Sequence, residues 1–189
     1  MTCIVGLVHS GAVWMGADSA GVDGRLGMVL RKDPKVFING PFLMGFTTSF
    51  RMGQLLAHSL NAPKRHPDQD VYSFMVKDFV NAVRDCLKSG GFATVSNGVE
   101  TGGTFLVGYE GRLFRIEGDF QVGEPARDYD ACGCGEDLAL GSLFATTELP
   151  PKQRVTHALM AAAAFSAGVS APFNLLQIGA TKTKAGGEA

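Results

Sequence analysis

The stretch Met1-Thr2-Cys3-Ile4-Val5-Gly6-Leu7-Val8, followed by Gly16-Ala17-Asp18-Ser19 and then by Lys35-Val36-Phe37, decides how this chain is read. Thr2 becomes the first residue if Met1 is removed, and methionine is trimmed when the next side chain is small. A threonine exposed in that way carries a hydroxyl and a free amine on adjacent carbons. The hydroxyl alone is a poor nucleophile. An α-amino group, with an ordinary pKa of roughly 8, is neutral often enough near pH 7 to take the hydroxyl proton. The pair then needs a cation nearby and a group to hold that cation.

Working outward, Cys3 to Val8 and Val13 to Ala17 read as strands joined at His9-Ser10-Gly11, a glycine-containing turn between apolar runs. An antiparallel hairpin of that kind brings the start of one strand, at Thr2, beside the end of the next, at Asp18. Short strands are expected at Leu26 to Arg31, Val36 to Ile38 and Phe42 to Phe46, with turns at Asp33-Pro34 and Asn39-Gly40-Pro41. Lys35 therefore opens a strand. Met52, Leu55, Leu56 and Leu60 have helical spacing over about 50 to 60, with Ser49 placed to cap the start. Val71 to Leu87 reads as a strongly amphipathic helix ending at Ser89-Gly90-Gly91.

Farther along, Thr104 to Tyr109 and Leu113 to Glu117 read as a hairpin, and a strand near Asp130-Ala131-Cys132 runs into Gly133-Cys134-Gly135. Helices are expected from about Glu136 to Thr146 and from Pro151 to about Ala167, then a strand from Phe173 to Gly179. Residues 181–189 read as a mobile tail behind a single domain spanning 1–180. Helices that come in pairs between runs of strands exclude a regular βαβ repeat. The order fits an α+β fold of two antiparallel sheets packed together and covered by helix pairs.

Composition narrows the function classes. The 189 residues include 46% hydrophobic and 19% charged side chains, enough for a sizeable core and too apolar for disorder. With 17 basic against 18 acidic residues and no basic run, nucleic acid is a poor partner. Apolar runs fall far short of a membrane span, and no signal-peptide pattern opens the chain, so a cytoplasmic address is the default expectation. Cys3, Cys86, Cys132 and Cys134 read as structural thiols rather than a disulfide framework. Cys132 and Cys134, as alternate residues, would share a strand face as a metal pair, but His9, His58, His66 and His157 are too scattered to complete a site, and no cofactor is implied.

These residues resemble the proteasome β-subunits and bacterial HslV peptidases, which are N-terminal nucleophile hydrolases. The likeness rests on Thr2 before a short apolar strand, Asp18 in Gly-Ala-Asp-Ser, Lys35 before Val36, and Asn39-Gly40-Pro41-Phe42-Leu43-Met44-Gly45 leading to a helix. It is good over about the first sixty residues and thinner beyond them. It implies the four-layer αββα sandwich and a threonine peptidase in which Lys35 favours ionisation of the Thr2 hydroxyl while Asp18 holds Lys35. The matched oxyanion donor is the backbone N–H of Ser49, and the matched support for the Thr2 amine is Cys134, where the family has serine. The matched side-chain pocket is Gly21, Phe37, Thr47 and Arg51. Thr47 points to a modest apolar or uncharged substrate residue, Arg51 to an acidic one. The implied partners are peptide or unfolded protein, other copies of the chain in a ring, and an ATP-dependent unfoldase.

Two departures stand out. The thiol of Cys134 is a weaker hydrogen-bonding group than a hydroxyl. The late stretch Ser166-Ala167-Gly168-Val169-Ser170 lacks the aspartate that the family places near its nucleophile, and Ser166 or Ser170 is either its neutral replacement or a helix-end and turn serine. Two other readings stay open: a catalytically silent ring or scaffold subunit, and an N-terminal cysteine amidohydrolase of the glutamine amidotransferase type using Cys3. Replacing Lys35 by alanine is expected to abolish peptide cleavage by removing the cation, and to strand Asp18 without its partner, with the fold nearly intact.

Overall fold

The computed structural model describes residues 1–179. In chain order, β1 (Cys3–His9), β2 (Ala12–Ala17), β3 (Ala20–Val22), β4 (Met28–Leu30), β5 (Val36–Asn39) and β6 (Phe42–Phe46) come first. Next come α1 (Phe50–His58), α2 (Val71–Phe74) and α3 (Val80–Ser89), the last two joined without a break by a π-helical stretch, Met75–Phe79. Strands β7 (Thr94–Ser96), β8 (Val99–Thr101), β9 (Phe105–Tyr109), β10 (Arg112–Ile116), β11 (Val122–Gly123) and β12 (Tyr129–Gly133) follow. The described chain closes with α4 (Glu136–Ala145), α5 (Pro151–Phe165) and β13 (Asn174–Gly179).

Two antiparallel sheets form the middle of the molecule, one in the order β12-β1-β2-β13 and one in the order β11-β10-β9-β6-β5. Strand alternation explains the layering, because successive side chains face opposite sides. Cys3, Val5 and Leu7 of β1 join Ala139 and Leu143 of α4 and Val155, Ala158 and Leu159 of α5 in one core. Ile4, between them, turns inward to Val13, Met15, Val36, Leu43, Leu106 and Leu113 in the space between the sheets. Phe42, Met44 and Phe46 of β6 face the other way and pack with Met52, Leu56, Phe74, Phe79 and Val83 from the first helices. Three apolar layers thus separate four structural ones, and the αββα sandwich follows.

The sheets approach closely where small residues allow it. A Cβ on Gly45 would stand 2.6 Å from Ile4 Cγ2 and 2.7 Å from Met15 Sδ, so a larger residue there would push the sheets apart. Local signals start the helices: Ser49 accepts from the Arg51 N–H at 3.1 Å, Asp70 accepts from the Ser73 N–H at 2.8 Å, and Pro151 occupies the first position of α5.

Several boundaries differ from the sequence reading. The strand expected over Leu26 to Arg31 shrinks to β4, whose three residues are all exposed because it pairs only with β3. The helix expected over Val71 to Leu87 contains the π-helical turn, and α5 stops at Phe165. β3, β7, β8 and β11 carried no sequence signal, being two or three residues long. The expected tail, 181–189, lies outside the described residues. Among those described, no helix is long and apolar enough to cross a membrane.

Candidate active site

Asp18 leaves the end of β2 fully buried, and four donors converge on its carboxylate. Oδ1 accepts from Lys35 Nζ at 2.7 Å and from the Cys3 N–H at 3.0 Å. Oδ2 accepts from the Ala20 N–H at 2.9 Å and the Ser170 N–H at 3.4 Å. The β1–β2 register, with Ile4 opposite Ala17, is what brings Cys3 to Asp18. Lys35, just before β5, is 1% exposed. Burial pushes its pKa below the usual lysine value, against the pull of the Asp18 charge and hydrogen bond. An ion pair this deep is supported by three backbone N–H groups on the Asp18 carboxylate, and breaking it leaves a buried charge unpaired. The expectation that Lys35→Ala leaves the fold nearly intact is therefore corrected: this lysine is a buried strut.

Thr2 is 5% exposed, immediately before β1. Its N–H donates to Cys134 Sγ at 3.2 Å, and its Oγ1 donates to the Met1 carbonyl at 2.5 Å. The Gly133-Cys134-Gly135 turn presses on the Thr2 backbone. A Cβ on Gly133, at φ +103°, would stand 2.2 Å from Thr2 O, so only glycine lets the turn come this near. Cys134 Sγ and the Gly135 N–H both donate to Thr2 O, at 3.4 Å each. Ser166, at the end of α5, donates its hydroxyl to Cys134 O at 3.4 Å and Cys134 Sγ at 3.5 Å. Ser170 reaches Asp18 through its backbone only, and its hydroxyl bonds to Ala171 O at 3.2 Å.

The remaining matched residues divide. Ser49 caps α1, and its own N–H is engaged, donating to Thr47 O at 2.7 Å across a three-residue turn with Thr48 at φ +64°. Thr47 and Ser49 line a cleft of about 50 Å³ together with Met1, Thr2, Val22, Phe46, Thr48 and Phe50. Phe50 also lies 5.8 Å, ring centroid to Nζ, from Lys35. Gly21 lines a neighbouring cavity of about 280 Å³ with Val22, Met28, Val29, Arg31 and Phe50. Phe37 lies apart from both, its ring 6.4 Å from that of Phe46. Arg51 turns away along α1 and donates to Gly90 O at 3.3 Å.

Sequence reasoning missed Val22, Phe50, Met28 and Arg31 as walls of this region. The one available signal was an apolar run, Leu26 to Leu30, with no partner of its own length. Arg31 lies 3.9 Å over the Phe50 ring and pairs with Asp33 at 2.7 Å. Burial first, and the Asp18 charge second, push the Cys3 thiol up to about 12. Burial also holds the Cys132 thiol well above its ordinary value. Cys132 is packed between the sheets, while Cys134 is exposed beyond the end of β12, so the two do not share a strand face as a metal pair. Among the described residues no group of three His, Cys, Asp or Glu is placed to hold a metal.

The two-sheet core with helix pairs outside, and a buried Asp–Lys pair beside the residue that opens β1, define an Ntn-hydrolase fold of the proteasome-like type. Solved structures of similar shape include BPH from Thiobacillus denitrificans in complex with epoxomicin, with a TM-score of 0.79 and 19% identity over 95% of this chain and all of that one. HslV from Trypanosoma brucei is similar at a TM-score of 0.66 and 15% identity, over 94% of this chain and 99% of that one. The ancestral β-subunit Anbu from Yersinia bercovieri is similar at 0.63 and 15%, over 94% and 82%. No protein-family model matches the sequence, and no curated protein matches it. At these identities the likeness establishes the fold.

Proposed function

We propose that this chain is a threonine hydrolase of peptide bonds, with Thr2 as nucleophile once Met1 is removed. One observation carries the reading: a fully buried Asp18–Lys35 pair at 2.7 Å that binds the N–H of Cys3, the residue after Thr2, while the Thr2 nitrogen is held at 3.2 Å by Cys134. In the mature chain that nitrogen is a free amine. It takes the Thr2 hydroxyl proton as Oγ1 attacks the substrate carbonyl carbon; the peptide C–N bond breaks, and the proton passes to the departing amine. Water then cleaves the resulting ester and restores Thr2. The Lys35 charge favours the alkoxide character of Oγ1 throughout. The oxyanion is assigned to the Ser49 N–H, which must leave Thr47 O to receive it.

On this reading the substrate is an extended peptide or unfolded protein. The chain works inside a ring of its own copies in the cytoplasm, and an ATP-dependent unfoldase feeds it. Cys3 is a poor alternative nucleophile. Burial and the Asp18 charge push its thiol up to about 12, away from the reactive thiolate, and its nitrogen is a peptide N–H committed to Asp18. A silent ring subunit is the second reading, favoured by the engaged Ser49 N–H.

The test is an α′,β′-epoxyketone peptide added to protein lacking Met1. Only a residue with a hydroxyl and a free amine on adjacent carbons closes a six-membered ring with it, so mass spectrometry should find both Thr2 atoms bonded to inhibitor carbons. Thr2→Ala should lose adduct and peptide turnover, and Cys3→Ala should keep both. A folded, Met1-free protein that neither forms the adduct nor cleaves peptides is the silent subunit.

A further inference from the structure

Arg115 stands on β10, in the sheet that does not contain Thr2, and it reaches across to the other sheet. Its Nη1 donates to Ala131 O at 2.9 Å and to Glu136 Oε1 at 3.0 Å, and its Nη2 donates to Glu136 Oε2 at 3.4 Å. Its Nε lies 2.6 Å from Glu117 Oε1, close enough for an ion pair but not aligned as a hydrogen bond, and Asp130 Oδ1 lies 3.8 Å from Nη1. Ala131 and Glu136 bracket the turn Gly133-Cys134-Gly135: Ala131 lies on the strand that enters it, Glu136 on the first turn of the helix that leaves it. A single guanidinium thus ties both shoulders of the turn to the opposite sheet. Within the turn, the Gly135 N–H and Cys134 Sγ contacts to Thr2 O and the Thr2 N–H contact to Cys134 Sγ complete a continuous path from Arg115 to the Thr2 nitrogen.

The chemistry favours arginine in this place. A planar fork holds a carbonyl and a carboxylate at once, which the point charge of a lysine does less well. Burial works against the charge, but the Glu136 hydrogen bond and the Glu136, Glu117 and Asp130 charges outweigh it and raise the Arg115 pKa, so the clamp stays cationic. Glu136 also sits in the first turn of α4, where the helix dipole favours a carboxylate. The Cys134 sulfur, a weak hydrogen-bonding group, supplies little directional force of its own. Its position depends on how rigidly the turn is held.

We propose that Arg115, with Glu136, is a positioning residue for the nucleophile: it holds the Gly133–Gly135 turn so that Cys134 supports the Thr2 amine. The proposal rests on the threonine reading for its consequence in catalysis, but the amine itself reports on it without turnover. In Met1-free protein, the rate at which an N-hydroxysuccinimide acetate ester acylates the Thr2 amine is followed against pH by peptide mass spectrometry. Cys134→Ala should shift the amine's apparent pKa, Arg115→Met should shift it in the same direction, and the double variant should go no further than Cys134→Ala alone. Arg115→Lys should lie between wild type and Arg115→Met. In the peptidase assay, Arg115→Met should lower kcat about tenfold or more with KM within about twofold, as expected for a displaced catalytic group.

If Arg115→Met does not fold, Glu136→Gln, which keeps the Ala131 bond, replaces it in every comparison. An amine titration unmoved by the clamp variant, or shifts that simply add in the double variant, would overturn the proposal. Absence of turnover in wild type would sink the hydrolase reading instead, and leave the titration to decide this one.

Discussion

Lys35 shows how burial changes the meaning of a residue. In sequence it is a lysine at a strand start, a place where most lysines are solvated. In the structure it is 1% exposed and bound to a carboxylate that is itself fully buried. Replacing it by alanine removes the cation and leaves Asp18 charged in the interior, a change that typically costs about 3–5 kcal/mol. Urea denaturation of Lys35→Ala should show that loss. Asp18→Asn combined with Lys35→Met, which removes both charges, should recover much of the stability and none of the peptide cleavage. A Lys35→Ala variant with an unchanged midpoint would mean that the lysine is not buried in solution.

At the scale of elements, the short hairpin β3–β4 and the first residues of α1 build the wall of the 280 Å³ cavity next to Thr2. Its lining is mostly apolar, and its one guanidinium, Arg31, is already paired with Asp33 and stacked on Phe50. The Asp23 carboxylate there accepts the N–H groups of Arg25 and Gly27 on Oδ1, both at 2.9 Å. With its guanidinium committed, the cavity offers no free cation to an acidic substrate residue. A bulky apolar or aromatic side chain should therefore be preferred, in contrast to the modest apolar or uncharged residue read from Thr47 and the acidic one read from Arg51. In fluorogenic peptides that differ at this side chain, Phe50→Ala should cut kcat/KM for the aromatic substrate roughly tenfold, mainly through KM. A preference for acidic peptides in the wild type would contradict this account of the cavity.

For the whole molecule, two groups stand out among the exposed apolar side chains, which also include Ile38, Tyr72, Val76, Val95 and Val99. Leu26, Met28, Val29 and Leu30 project from the small hairpin, and Phe144, Met160 and Phe165 from α4 and α5, with Phe165 81% exposed. Side chains of this size are usually covered in an oligomer, and the proposed ring would do so. Light scattering should give a mass several times that of the 19.9 kDa chain, as the proposed ring requires. Substituting Phe165 by a charged residue should lower that mass if α5 lies in a contact between copies. A monomer over a wide concentration range would exclude the ring and leave the chemistry of Thr2 untouched.

The sequence by itself determined the hairpin of β1 and β2 and the helix pairs, and its resemblance to a known family pointed to Thr2, Asp18 and Lys35. The hairpin and the helices depend on local rules: period-two alternation, glycine turns, caps and helical spacing over ten or more residues. Only the tertiary structure decided that Asp18 and Lys35 are buried together, because burial comes from three layers of side chains contributed by distant segments. The same holds for the turn of Arg51 away from the site, the tie between the Ser49 N–H and Thr47 O, and the use of β3–β4 as a wall. Arg115 was invisible for the same reason. Its partners Ala131 and Glu136 lie sixteen and twenty-one residues away on another sheet and a helix, and only the packing of the two sheets brings one guanidinium to both sides of the turn that touches Thr2.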